Sequence, residues 1–127
     1  MNAHYTSEEL NQAIKSFKSS ISKCEKAKLK LKEGSPQRKW IDKQLEAFYI
    51  AVSLIDELDD KEPSYMGQYA KPEWGNAIKT FESLTSKCEN ILAKFRDGSP
   101  QQTLTLRRLK AFNMAITLIR KEMENIT

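Results

Sequence analysis

Histidine is nearly absent from this sequence, with His4 standing alone, and cysteine occurs only at Cys24 and Cys88. Two cysteines are too few for a disulfide framework, and with one histidine they are too few for a zinc site. His4 precedes any helical pattern, so nothing orients it, and a Ser–His or Cys–His catalytic pair is not expected. No Glu-x-x-His pair occurs, which disfavours a carboxylate-bridged di-metal bundle. These scarcities predict a chain that is not an enzyme and uses no metal or cofactor. Glycine and proline are also sparse, at four each, which sets the chain apart from loop-rich and low-complexity proteins. No apolar run approaches the roughly 20 residues that cross a bilayer. The stretch from Met1 to Leu10 is polar and lacks the apolar centre of a signal peptide. A cytoplasmic location, in a bacterial or phage setting, is the expectation.

What the sequence does have is charge and amphipathic pattern. Charged residues make up 30% and hydrophobic residues 39%, the mixture of a highly helical soluble chain. At 127 residues the chain is long enough to bury one continuous core without staples, so a single domain spanning 1–127 is expected. The net charge of +4 permits an acidic partner without demanding one.

Internal similarity is the strongest signal. Displacing the chain by 64 residues aligns 13–55 with 77–119, and 20 of those 43 positions are identical. The block Gly34-Ser35-Pro36-Gln37 recurs whole as Gly98-Ser99-Pro100-Gln101, and Phe17, Cys24, Glu25 and Phe48 recur as Phe81, Cys88, Glu89 and Phe112. The predicted organisation is two tandem-duplicated antiparallel helical hairpins, covering 7–59 and 72–126 and joined by a linker over 60–71. One hairpin alone exposes a long apolar seam, so the two should pack together as an all-α four-helix bundle with pseudo-twofold symmetry. Such a bundle mimics a hairpin homodimer, which predicts a monomer or a weak homodimer.

Each copy reads as helix, corner, helix. Thr6 is a predicted N-cap, with Glu9 completing a capping box. Leu10, Ile14, Phe17, Ile21, Cys24 and Leu31 form one apolar stripe, and Trp74, Ile78, Phe81, Cys88, Leu92 and Phe95 repeat the rhythm. Gly34 suits a left-handed helix end, Ser35 a cap and Pro36 a first turn, so stop, cap and start fall on consecutive residues. Pro72 is expected to open the third helix. The returning helices carry Ile41, Leu45, Phe48, Val52 and Ile55, then Leu109, Phe112, Ile116, Ile119 and Met123. Beside them lie Ala47-x-x-x-Ala51 and Ala111-x-x-x-Ala115, small residues that let a neighbouring helix approach closely.

Several residues could do more than support the fold. Cys24 and Cys88 read as small buried thiols; the alternative is a redox pair, which needs their Cα atoms within about 7 Å. Glu25 and Glu89 flank the stripe, and antiparallel hairpins place Gln44 and Arg108 roughly opposite. This predicts a Glu25–Gln44 hydrogen bond and a Glu89–Arg108 ion pair that set register, with a polar ligand pocket as the alternative. Lys15, Lys23, Lys26 and Lys30 share the side of the first helix opposite its stripe. That is ordinarily a solvated face. The second copy keeps Lys79, Lys87 and Lys94 at matching places. Tyr65, Met66 and Tyr69 form an aromatic cluster in the linker, either covering one end of the bundle or serving as a binding loop.

Two functions compete on this reading, and a third, small-ligand binding between the hairpins, would need a cavity at the core. The first is a small interaction or regulatory module whose partner is another protein, acting through a bundle face. The second is an accessory protein binding nucleic acid through helix one and the Arg107, Arg108, Lys110 cluster. No recognition-helix motif or row of stacking aromatics accompanies these cations, and helix two carries an excess of acids, which weakens the second. Membrane association is not expected.

Overall fold

Thr6 starts the first helix as its side chain predicts. Its Oγ1 accepts from the Glu9 backbone N–H at 3.1 Å, and Glu9 Oε1 accepts from the Thr6 backbone N–H at 2.9 Å. The computed structural model describes residues 5–58 and 71–126. Within them lie four helices, α1 (Ser7–Leu29), α2 (Pro36–Leu58), α3 (Lys71–Leu92) and α4 (Pro100–Ile126), and no strand. Pro72 falls in the first turn of α3, where a missing amide donor is tolerated. Lys71, assigned to the linker by sequence, already belongs to α3; the linker aromatics Tyr65, Met66 and Tyr69 lie outside the described residues, as does His4.

The corners differ from the expected three-residue stop, cap and start. Helix α1 ends at Leu29, five residues before Gly34. The chain tightens there, with Lys30 N–H donating to Ala27 O and Leu31 N–H to Lys28 O, both at 3.1 Å. Bonds to the third residue back overwind the last turn and swing the stripe off its axis. Leu31 sits half-buried beyond the helix, and Leu29, which lies off the apolar stripe, is 83% exposed. The second corner repeats the pattern through Lys94 N–H to Ile91 O and Phe95 N–H to Leu92 O.

The later corner residues behave as predicted. Gly34 and Gly98 both have φ +78°, and Ser35 and Ser99 cap the following helices through Oγ at 3.2 and 3.1 Å. The residue after the repeated glutamine completes each corner. Arg38 Nη1 donates to the Leu31 carbonyl, while Gln102 Oε1 accepts from the Gly98 N–H at 2.6 Å. A Cβ built on either glycine meets nothing within 4 Å, so its cost is purely that of left-handed backbone. Gly34→Ala is expected to lower stability by about 1 kcal/mol. Gly34→Asn should cost less, and urea denaturation of the two variants checks the order.

Cross-helix partners set the topology. Phe17 of α1 meets Phe48 of α2, and Lys28, nearer the corner, pairs with Asp42 at 2.7 Å, so these helices run antiparallel. Phe48 meets Phe81 while Trp40 lies under Lys87, which makes α2 and α3 antiparallel as well. The result is an up-down-up-down bundle in ring order, with both Gly-Ser-Pro-Gln corners at one end. Its core includes Leu10, Phe17, Ile21, Leu45, Phe48, Val52, Ile55, Phe81, Phe112 and Ile119, all buried. At its centre the rings of Phe17, Phe48, Phe81 and Phe112 lie 5.7 to 6.2 Å from one another in every combination.

The two diagonals of the bundle are unequal. Cα atoms of α2 and α4 come within 8 Å of each other, whereas none do between α1 and α3. Ala47, Ala51, Ala111 and Ala115 are buried on the two helices that approach, adjoining the stacked Phe48–Phe112 pair. Small side chains permit that approach; the long diagonal is filled by Phe17 and Phe81, 5.9 Å apart.

Candidate interaction surface

The buried polar side chains of the core find partners within it. Among the described residues no buried side-chain nitrogen or oxygen lacks a partner; buried Thr80 and Thr105 donate their hydroxyls to the carbonyls of Asn76 and Gln101. Also among the described residues, no group of three His, Cys, Asp or Glu could hold a metal ion, and no helix is long and apolar enough to cross a membrane.

Cys24 is half-buried and Cys88 buried, and both thiols are free. They belong to α1 and α3, across the long diagonal, so their Cα atoms are more than 8 Å apart. That separation excludes a disulfide between them without backbone movement. Burial raises both thiol pKa values; the Glu25 charge adds to the rise at Cys24, while at Cys88 the Arg108 charge opposes it. A raised folded-state pKa means stability is full below the unfolded thiol's pKa and is lost as pH rises through the folded value. Maleimide labelling at mildly alkaline pH should accordingly be slower for the folded protein than for the urea-unfolded chain. Equal rates would show that the thiols are not shielded.

The predicted polar pairs form differently. Glu25 accepts from the Tyr49 hydroxyl at 3.1 Å, not from Gln44. Gln44 is half-buried while Glu25 is exposed, and the longer Tyr49 side chain reaches it from further along α2. Among the described residues no ion pair joins Glu89 to Arg108. Arg108 is half-buried, its charge felt at Cys88, whereas Glu89 is exposed. Interhelical ion pairs among the described residues include Lys28–Asp42, Lys110–Glu9 at 3.3 Å and Arg120–Glu82 at 3.0 Å. All are partly solvated, and water screens such pairs so that each adds little to stability. Hydrogen bonds from the Thr6 backbone and then the Lys110 ammonium hold the Glu9 carboxyl below its usual range. At the opposite end from the corners, burial first and the Glu122 charge second push Glu57 up.

No family model, curated protein or solved structure matches this chain.

The charges are unevenly placed around the bundle. Helix α1 carries five lysines against three glutamates, and α4 five lysines and arginines against two glutamates. In α2 three cations face four acids, and in α3 three face three. The positive excess thus belongs to α1 and α4, which are neighbours in space although they are the first and last helices of the chain. Lys15, Lys23, Lys26 and Lys30 are exposed, as the sequence predicts. Lys15 also lines a groove between the two helices, about 360 Å³ in volume, with Gln12, Ser16, Ser19, Leu104, Arg107 and Arg108. Two features of the surface have no sequence signal. Trp40 lines a second groove, between α2 and α3, with the Lys87 ammonium 4.9 Å above its ring. Leu104 and Leu106, at 45% and 48% exposure, lie outside the apolar stripe of α4.

Proposed function

We propose that this chain is a non-catalytic interaction module, with no cofactor, whose partner is another protein and whose binding surface is the outside of the bundle. The observation that carries this reading is the contrast between a core that satisfies its own polar groups and an outer surface that keeps Leu29, Ile91, Leu104 and Leu106 in water. The local case is Leu104, an exposed leucine beside Arg107 and Arg108, and arginine is among the residues enriched at interfaces. The cytoplasm is the compartment that this reading assumes, and membrane association is not part of it.

Duplication belongs to the same proposal. The recurrence of 20 in 43 positions supports two hairpins related by a pseudo-twofold axis. The ring distances agree with it: 5.8 Å for Phe17–Phe48 against 5.7 Å for Phe81–Phe112. A fused pair of hairpins already buries the seam that a single hairpin would offer to a second copy, so the expected state is a monomer or weak homodimer.

A photo-crosslinking residue placed in turn at Gln12, Leu104, Glu46, Lys79 and Leu29 samples three faces of the bundle in the cell. Discrete protein adducts from one face and not the others support the module. Adducts with nucleic acid alone, or none from any face, overturn it. The second reading, nucleic-acid binding, draws on the groove of Lys15, Arg107 and Arg108, and predicts a steep loss of affinity with salt. Absence of DNA and RNA binding at low salt removes it.

A further inference from the structure

The α1/α4 groove carries the inference furthest. Its three cations, Lys15, Arg107 and Arg108, come from two helices that are distant in sequence, and no carboxylate lines it. Among the described residues none of the three is in an ion pair, although acids elsewhere on the bundle are paired with Lys28, Lys110 and Arg120. Gln12, Ser16 and Ser19 are short or uncharged, which keeps the channel open, and Leu104 presents apolar surface to it. Next to it the Lys110–Glu9 pair marks one end, and toward the corners exposed Lys23 and Lys26 continue the same edge of α1, with exposed Lys30 just past its end. Their spacing of three and four residues holds them on one strip.

We propose that this groove receives an acidic amphipathic helix from a protein partner; the proposal rests on the interaction-module reading and names the face and the partner's chemistry. A third helix laid between two antiparallel ones can set an apolar residue against Leu104, the one apolar side chain among the described residues lining the groove. Its flanking carboxylates reach the guanidinium forks of Arg107 and Arg108, and Lys15 supplies a compact charge. A phosphate backbone would satisfy the cations but give Leu104 nothing to bury against, and no aromatic side chain lines the groove for a base to stack on. The combination of cations with exposed leucine favours protein.

Fluorescence anisotropy on the whole chain tests this with three probes. The first is an acidic amphipathic peptide as long as α1, with leucines at i, i+4, i+7 and i+11. The second has the same charge and no leucine, and the third is a short duplex DNA. The leucine peptide should bind tightest, and the double charge reversal Lys15→Glu with Arg107→Glu should weaken it about tenfold or more. Leu104→Ala should weaken it several-fold, while Lys43→Glu with Lys79→Glu, the same four-unit charge change on the α2/α3 face, leaves it within about twofold. Amide chemical-shift changes in the unsubstituted protein, confined to α1 and α4, supply the same answer without any variant. No peptide binding, DNA binding at least as tight as the peptide's, or equal losses from the two double charge reversals would each overturn the proposal. Crosslinks to protein from another face would leave the interaction module standing while removing this groove, so the two failures are distinguishable.

Discussion

Phe17→Ala is expected to destabilise the protein by about 3–5 kcal/mol, the range for emptying a large aromatic site that cannot collapse. Phe17 is fully buried, and its ring lies 5.8, 5.9 and 6.2 Å from those of Phe48, Phe81 and Phe112. Removing it opens a void bounded by three other rings, each fixed by its own helix. It also deletes three ring–ring contacts, each worth about 0.5–1.5 kcal/mol beyond area burial. For a chain of this size the melting temperature should fall by roughly 10–20 °C. The four rings share one cluster, so the effects will not add. A double-mutant cycle with Phe81→Ala should show a coupling of about 0.5–3 kcal/mol. Calorimetry that found a loss under about 1 kcal/mol would mean that the four rings do not form one packed layer.

Ala115→Leu should also be costly, for the opposite reason. Ala115 is fully buried on α4, which approaches α2 across the short diagonal. Three added carbons have no void to enter, so either the leucine leaves its rotamer or the helices part, at about 1–3 kcal/mol or more. Ala51→Leu, on the other side of that diagonal, should behave alike. Ser83→Leu on the exposed side of α3 is the control and should change stability by no more than about 0.5 kcal/mol. Chemical denaturation separates the cases: a midpoint shift for both buried alanines, and none for the surface serine. If Ala115→Leu were neutral, the alanines would not be what lets α2 and α4 come together.

Much of the helix-level structure was legible because its causes are local. The Thr6–Glu9 capping box, the positive φ at Gly34 and Gly98, and the Ser35 and Ser99 caps each depend on residues within four positions of one another. The apolar stripe likewise places Leu10, Ile14, Phe17 and Ile21 in the core. The exact end of α1 was not legible. Leu31 continues the apolar rhythm, and no residue between Leu29 and Gly34 signals that the hydrogen bonds tighten there. Polar partners were misjudged for a related reason. Sequence spacing ranks residues by height along a hairpin, whereas Tyr49 reaches Glu25 through the length of its side chain.

By itself the sequence determined a helical chain with two equivalent corners and an apolar seam on every helix, because periodicity and capping are properties of consecutive residues. Only the tertiary structure decided that four phenylalanines meet at one level, that Cys24 and Cys88 are kept apart, and that Lys15 shares a groove with Arg107 and Arg108. Those facts depend on which helices become neighbours and how close they come. Both were set by the volumes of side chains from all four helices packing at once, the alanines of α2 and α4 above all.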